Sequence, residues 1–104
     1  MALHLLKYHI GQIITHKKFA YRGVIYDADA QFSASQEWYD EVAKSRPPKE
    51  APWYHVLVDG SDITTYVAER NLLPANDTSQ INHPLIDAYF LEFCHDHYEL
   101  LQKQ

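Results

Sequence analysis

The sequence predicts a mainly β domain with helical additions, a small antiparallel barrel, and three observations carry that prediction. Trp53-Tyr54-His55-Val56-Leu57-Val58 is an uninterrupted aromatic and β-branched run between Pro52 and the turn pair Asp59-Gly60. Residues 11–28 hold two further β-rich runs split only by the polar His16-Lys17-Lys18, the pattern of a hairpin. The predicted elements show no alternating βαβ pattern of the kind a parallel sheet needs. A chain of 104 residues is one domain's worth, so residues 1–104 are expected to form a single unit.

Gln12-Ile13-Ile14-Thr15 reads as the first strand and residues 19–28 as the second. The second contains Phe19-Ala20-Tyr21-Arg22-Gly23-Val24-Ile25-Tyr26-Asp27, with one of only three glycines in the chain. A glycine inside a strand marks a bulge, a bend or a close approach of another backbone. Curvature at a barrel corner is the reading adopted for Gly23. Ser33-Ala34-Ser35-Gln36 has the capping-box form and opens a helix expected over about 34–44, with Trp38 and Val42 facing the core and Tyr39 beside them. Arg46-Pro47-Pro48 stops it, and residues 45–52 read as a polyproline-like strap. After the 53–58 strand, Ile63–Glu69 is its partner and Arg70–Pro74 a short turn or 3₁₀ piece. The barrel core therefore spans about 11–74, and 75–82 is a polar linker. His83-Pro84 opens a predicted C-terminal helix over about 83–101, because Ile86, Tyr89, Phe90, Phe93, His97, Leu100 and Leu101 follow helical spacing. Together these elements describe an SH3-like antiparallel β-barrel with one inserted helix and one terminal helix.

Charge and cysteine usage narrow the function. The single cysteine, Cys94, permits no intramolecular disulfide and suits a reducing compartment. The N-terminal apolar stretch is broken by His4, Lys7 and His9 and does not read as a signal peptide, so a cytoplasmic location is expected. The net charge of −5 is uneven: residues 1–26 carry four bases and no acid, and residues 27–104 carry all 14 acids. Protonation of all seven histidines would carry the formal charge to +2, so acid alters the balance of partners.

No catalytic constellation emerges. Cys94 and His95 are adjacent, which on a helix points them apart, and His95 and His97 lack the i,i+4 spacing of a helical zinc site. Asp27, Asp29, Asp59 and Asp62 fall at strand ends and turns, and no phosphate loop, dinucleotide fingerprint or nucleophile elbow is present. The expectation is a non-enzyme without metal or cofactor. His16, Lys17, Lys18, Tyr21 and Arg22 interleave cations with aromatics, as a stacking and phosphate-contacting groove does. Yet DNA affinity rests on phosphate neutralisation, and the chain is acidic. Tyr21, Arg22, Tyr26, Trp53 and Tyr54 fit a protein-binding surface at least as well. These eight residues are the candidate partner- or DNA-binding set, with Gly23 and Asn71 as structural positions. Whether Arg22 meets a partner or the protein's own carboxylates stays open at this level.

Several blocks, in order, resemble the HspQ heat-shock proteins, the YccV-like or hemimethylated-DNA-binding domain. They are Gly11-Gln12, His16, Phe19–Ile25, Asp27, Trp38-Tyr39, Arg46-Pro47, Pro52–Val58, Tyr66–Glu69, Asn71-Leu72 and His83-Pro84, reaching from residue 11 to about 93. Ala51, where the family commonly has glutamine, and Arg70, where it has an acid or amide, depart from the pattern. The resemblance implies an SH3-like barrel and a cytoplasmic stress protein without catalytic activity. It implies a role in degradation of denatured or mutant proteins by ATP-dependent proteases, including turnover of the replication initiator DnaA. It also implies binding of hemimethylated DNA as the alternative function, and self-association, with trimers among the assemblies. The first role fits the acidic charge better.

Overall fold

The computed structural model of the protein describes residues 6–100. In chain order the elements are β1 (Ile13–His16), β2 (Arg22–Asp29), α1 (Gln36–Val42), β3 (Trp53–Val58), β4 (Thr64–Ala68), a 3₁₀ turn (Glu69–Asn71), β5 (Leu72–Pro74), α2 (Ile86–Tyr89), β6 (Phe90–Cys94) and β7 (His97–Leu100). Five strands form one antiparallel sheet in the order β4-β3-β2-β1-β5, and β6 and β7 form a separate hairpin. The antiparallel sheet and the inserted helix are those of the expected SH3-like domain, but the sheet does not close. The three-residue 3₁₀ turn carries the chain from one sheet edge, β4, to the other, β5, without pairing them.

Successive strand residues point to opposite faces, and here neighbours are buried on both. Ile14, Ile25, Tyr54, Val56, Val67 and Leu72 pack with Tyr8 on one face. Ile13, Val24 and Leu57 pack on the other against Ile81, Phe90 and Tyr98. The central strands therefore read as continuous apolar runs rather than alternating ones.

The second face is covered by the C-terminal segment, which corrects the expected helix over 83–101. Helix α2 is a single turn, and β6–β7 is a hairpin whose turn places His95 in the left-handed region (φ 58°). Both periodicities were compatible with so aromatic a stretch, and packing decides between them. The hairpin directs Phe90 and Tyr98 together into the core, and the Tyr98 hydroxyl donates to the Ile81 carbonyl and accepts from its N–H at 2.9 Å. Leu101, assigned to the same helix, lies outside the described residues.

Two smaller expectations also change. The cap of α1 is Ser35, whose hydroxyl accepts from Trp38 N–H, and Tyr39 is buried while Val42 is 56% exposed. The irregularity in β2 falls between Ile25 and Asp27, placing a bulge at Tyr26, not Gly23. Gly23 serves close approach instead: a Cβ there would lie 2.5 Å from Val56 Cγ1 and 2.7 Å from the Leu57 carbonyl oxygen. Gly11 has φ +93°, and a Cβ there would lie 2.1 Å from the Tyr98 carbonyl oxygen, so the seat of the hairpin requires glycine.

Candidate functional site

The β1–β2 turn, the end of α1 with its following strap, and strand β4 enclose a groove of about 560 Å³. Its floor is Trp53, 1% exposed, whose indole N–H donates to the Pro48 carbonyl at 3.1 Å. Aromatic contacts tie the walls together: Trp53 to Tyr66 at 5.2 Å, Trp38 to Tyr66 at 5.6 Å, and His55 to Tyr66 at 4.4 Å between ring centroids. Such offset and edge-on pairs are the arrangements that aromatic quadrupoles favour. Lys18 and Lys44 are the charged ammonium groups of the lining, and no carboxylate lines it among the described residues.

His16 is buried, 7% exposed, and its Nδ1 accepts from the N–H groups of Lys18 (3.0 Å) and Phe19 (3.1 Å). Two donors on Nδ1 require that nitrogen unprotonated and place the ring proton on Nε2. Burial, and then the nearby Lys18 charge, hold its pKa below the ordinary histidine value. The imidazole is thus a neutral cap that shapes the turn, with Phe19 (4.8 Å) and Tyr21 (5.2 Å) packed on it. Phe19 is 67% exposed at the tip, with Lys18 Nζ 5.6 Å from its ring. Tyr21 donates or accepts at Thr65 Oγ1 (2.8 Å), and burial raises its pKa against the effect of that bond. Tyr26, at the bulge, packs on Tyr89 (4.6 Å) and His55 (5.8 Å), and burial raises its pKa too.

The structure therefore gathers His16, Lys18, Tyr21, Tyr26 and Trp53 around one groove, together with Asn71. It separates Lys17, Tyr54 and Arg22 from them. Lys17 lines a smaller cavity of about 150 Å³ with Lys7 and Arg70. Tyr54 is fully buried; its hydroxyl donates to Glu69 Oε2 (2.5 Å) and accepts from Tyr8 N–H (3.1 Å), and burial, reinforced by Glu69, raises its pKa. Arg22 turns to the protein's own chain. Its guanidinium donates to Asp59 Oδ2 at 3.0 Å and to the carbonyls of Asp77 (2.8 Å), Ser79 (2.9 Å) and Gln80 (3.3 Å). Asp59 in turn accepts from Asn82 N–H at 2.7 Å. Arg22 is the clasp of the 75–82 linker.

Sequence reasoning missed Trp38, His55 and Tyr66 as groove residues. It also missed that Asp27, Asp29 and His55 converge, with one ligand-type atom from each lying within 4.8 Å of the others. The cross-strand pairing Asp27↔His55 after the bulge brings them together, and no spacing along the chain reveals that. Asp29 Oδ2 accepts from Tyr66 O–H (2.7 Å) and bonds His55 Nε2 (3.0 Å), so the cluster acts as a brace for the groove wall. Burial and the Asp29 bond both push the Tyr66 phenol up.

Aromatic faces, hydroxyls, an imidazole and two ammonium groups suit stacking and hydrogen bonding. The molecule is thus an SH3-like antiparallel β domain with an aromatic groove. The family described as hemimethylated DNA-binding protein, YccV like, matches residues 6–97, and the chain belongs to that family.

Proposed function

We propose that this protein is a non-catalytic stress-response module acting in the degradation of denatured or mutant proteins by ATP-dependent proteases, as an adaptor or specificity factor. Turnover of the replication initiator DnaA belongs to the same reading, by resemblance to the HspQ proteins. The observation that carries it is the division of labour around the β1–β2 turn. The aromatics face a groove that no carboxylate lines among the described residues, whereas the Arg22 guanidinium is committed to Asp59 and the linker carbonyls. That leaves a surface rich in rings with two ammonium groups, Lys18 and Lys44, in a chain of net charge −5, which suits apolar protein segments better than a run of phosphates. The protein works as one domain over residues 1–104, in the cytoplasm, as a homo-oligomer, with trimers among the assemblies. No described helix is long and apolar enough to cross a membrane. The test adds pure protein to ATP-dependent proteases supplied with an unfolded substrate: degradation is expected to accelerate, and an unchanged rate across several proteases refutes the role.

A second reading, binding of hemimethylated DNA, is favoured by the family description and by Lys17, Lys18 and Phe19 at the turn tip. It predicts duplex binding that weakens steeply with salt and is lost in Lys17→Ala/Lys18→Ala. Undiminished binding by that variant removes the turn from DNA contact.

A further inference from the structure

Strand β4 is an edge strand, and its pairing with β3 leaves one side of its backbone free. Val58 N–H donates to Ile63 C=O and Glu69 N–H to Pro52 C=O, at the two ends of a ladder in register Leu57↔Thr64 to Trp53↔Ala68. Hydrogen-bonded pairs alternate along an antiparallel ladder. Thr65 and Val67 therefore spend their backbone groups on β3, and those of Thr64 and Tyr66 point outward. Among the described residues the N–H and C=O of Thr64 and Tyr66 have no backbone partner beyond the ladder.

This edge opens into the aromatic groove. Thr64 and Tyr66 lie on one face of β4 and Thr65 and Val67 on the other, yet all four line the same space, so the groove runs along the strand's rim. Proteins ordinarily protect such rims with lysine, proline or a bulge. The opposite edge, β5, ends in Pro74, whereas β4 is Thr-Thr-Tyr-Val-Ala with a regular register. Charge selects further: among the described residues the groove is flanked by Lys18 and Lys44 and lined by no carboxylate, in a chain of net charge −5.

We propose that β4 takes an extended, acid-flanked apolar segment of a client protein as an added antiparallel strand, whose side chains fill the aromatic groove and whose carboxylates meet Lys18 and Lys44. This rests on the reading of the groove as the client-binding site. Main-chain bonding supplies affinity without demanding a particular sequence, which suits a binder of denatured proteins.

The test uses a short dye-labelled peptide of alternating valine and phenylalanine with aspartate at both ends, and two isomers of it N-methylated on one or the other alternate set of residues. An added strand bonds through one set only. One isomer is therefore expected to bind as the parent does and the other roughly tenfold more weakly, for the loss of about one hydrogen bond's worth of stabilisation or more. With the parent bound, the Tyr66 amide is expected to exchange more slowly with solvent, and Lys18→Glu/Lys44→Glu to weaken the parent. Equal binding by both isomers overturns strand addition and leaves the groove reading intact. No binding of the parent overturns the groove reading as well. Slowing of Tyr66 exchange by a hemimethylated duplex that also displaces the peptide overturns both in favour of nucleic acid.

Discussion

Arg22→Ala separates a structural role from a partner-binding one. The side chain is 19% exposed and donates to one carboxylate and three carbonyls, with Asp77 Oδ2 a further 3.8 Å from its Nε. Hydrogen bonds to charged groups contribute roughly 1.5–3 kcal/mol each, but they are not additive. The linker lies at the surface, Asp77 being 67% exposed, so its carbonyls rehydrate once the guanidinium is gone. What is lost is chiefly the part-buried Asp59 pair and the order it gives the linker, about 2 kcal/mol in all. At roughly 4 °C per kcal/mol for a domain of this size, the melting temperature falls by about 8 °C. Arg22→Lys keeps the charge but not the planar fork that reaches four acceptors, and is expected to fall between the two. The assay is thermal unfolding followed by circular dichroism, paired with client and duplex binding at a temperature where the variant is fully folded. Binding by the folded variant is expected to match the wild type. A melting temperature within about 2 °C of wild type, or binding lost while the fold persists, refutes the clasp.

Three further outcomes follow from the geometry. Gly11→Ala places a methyl against the Tyr98 carbonyl at a left-handed φ and is expected to cost roughly 3 kcal/mol or more, seen as a lowered melting temperature and faster amide exchange in β6–β7; unchanged exchange there refutes the seat. Phe19→Ala removes a ring that is 67% exposed, so stability should change by less than about 0.5 kcal/mol while affinity for an unfolded client drops roughly tenfold; unaltered affinity excludes the tip from the site. His16 has a folded-state pKa below its ordinary 6.5, so the stability from its neutral form is full above about pH 6.5 and is lost as pH falls through the folded value. Urea midpoints should therefore decline as pH falls below about 6.5, and less so in His16→Asn, whose amide oxygen accepts without titrating. Equal declines would remove His16 from the acid response. His97 acts in the opposite direction: Asp96, hydrogen-bonded to it, raises its pKa, so its contribution is present below pH 6.5 and fades as pH rises through the folded value.

The strands of the central sheet were legible because their determinants are local. Val24-Ile25 and Val56-Leu57 leave little choice but a strand buried on both faces, and Pro52 and Asp59-Gly60 mark the limits of β3. The 83–101 segment was not legible, because its aromatic spacing fits a helical stripe and a hairpin alike. The deciding contacts, Phe90 and Tyr98 on Ile13, Val24 and Leu57, lie far off in sequence. The candidate site was half legible. His16, Lys18, Tyr21, Tyr26 and Trp53 stand out by residue type, but type alone does not separate Tyr54, which is core, or Arg22, which is a clasp. Trp38, His55 and Tyr66 join the groove only through tertiary packing.

The bulge at Tyr26 links these levels. A one-residue shift in register moves every later side chain to the other face of the sheet. Up to Ile25 strand β2 supplies both cores, Val24 to one and Ile25 to the other. The extra residue then sets Asp27 opposite His55 and Asp29 opposite Trp53. From there Asp29 reaches both His55 and Tyr66, and the brace that stiffens the groove wall is complete. Without the bulge, Tyr26 would take Asp27's place opposite His55, and the carboxylates would exchange faces with the residues beside them. Curvature in β2 and the rigidity of the aromatic groove therefore share one cause. It lies three residues beyond Gly23, the position that residue type alone singles out for the bend.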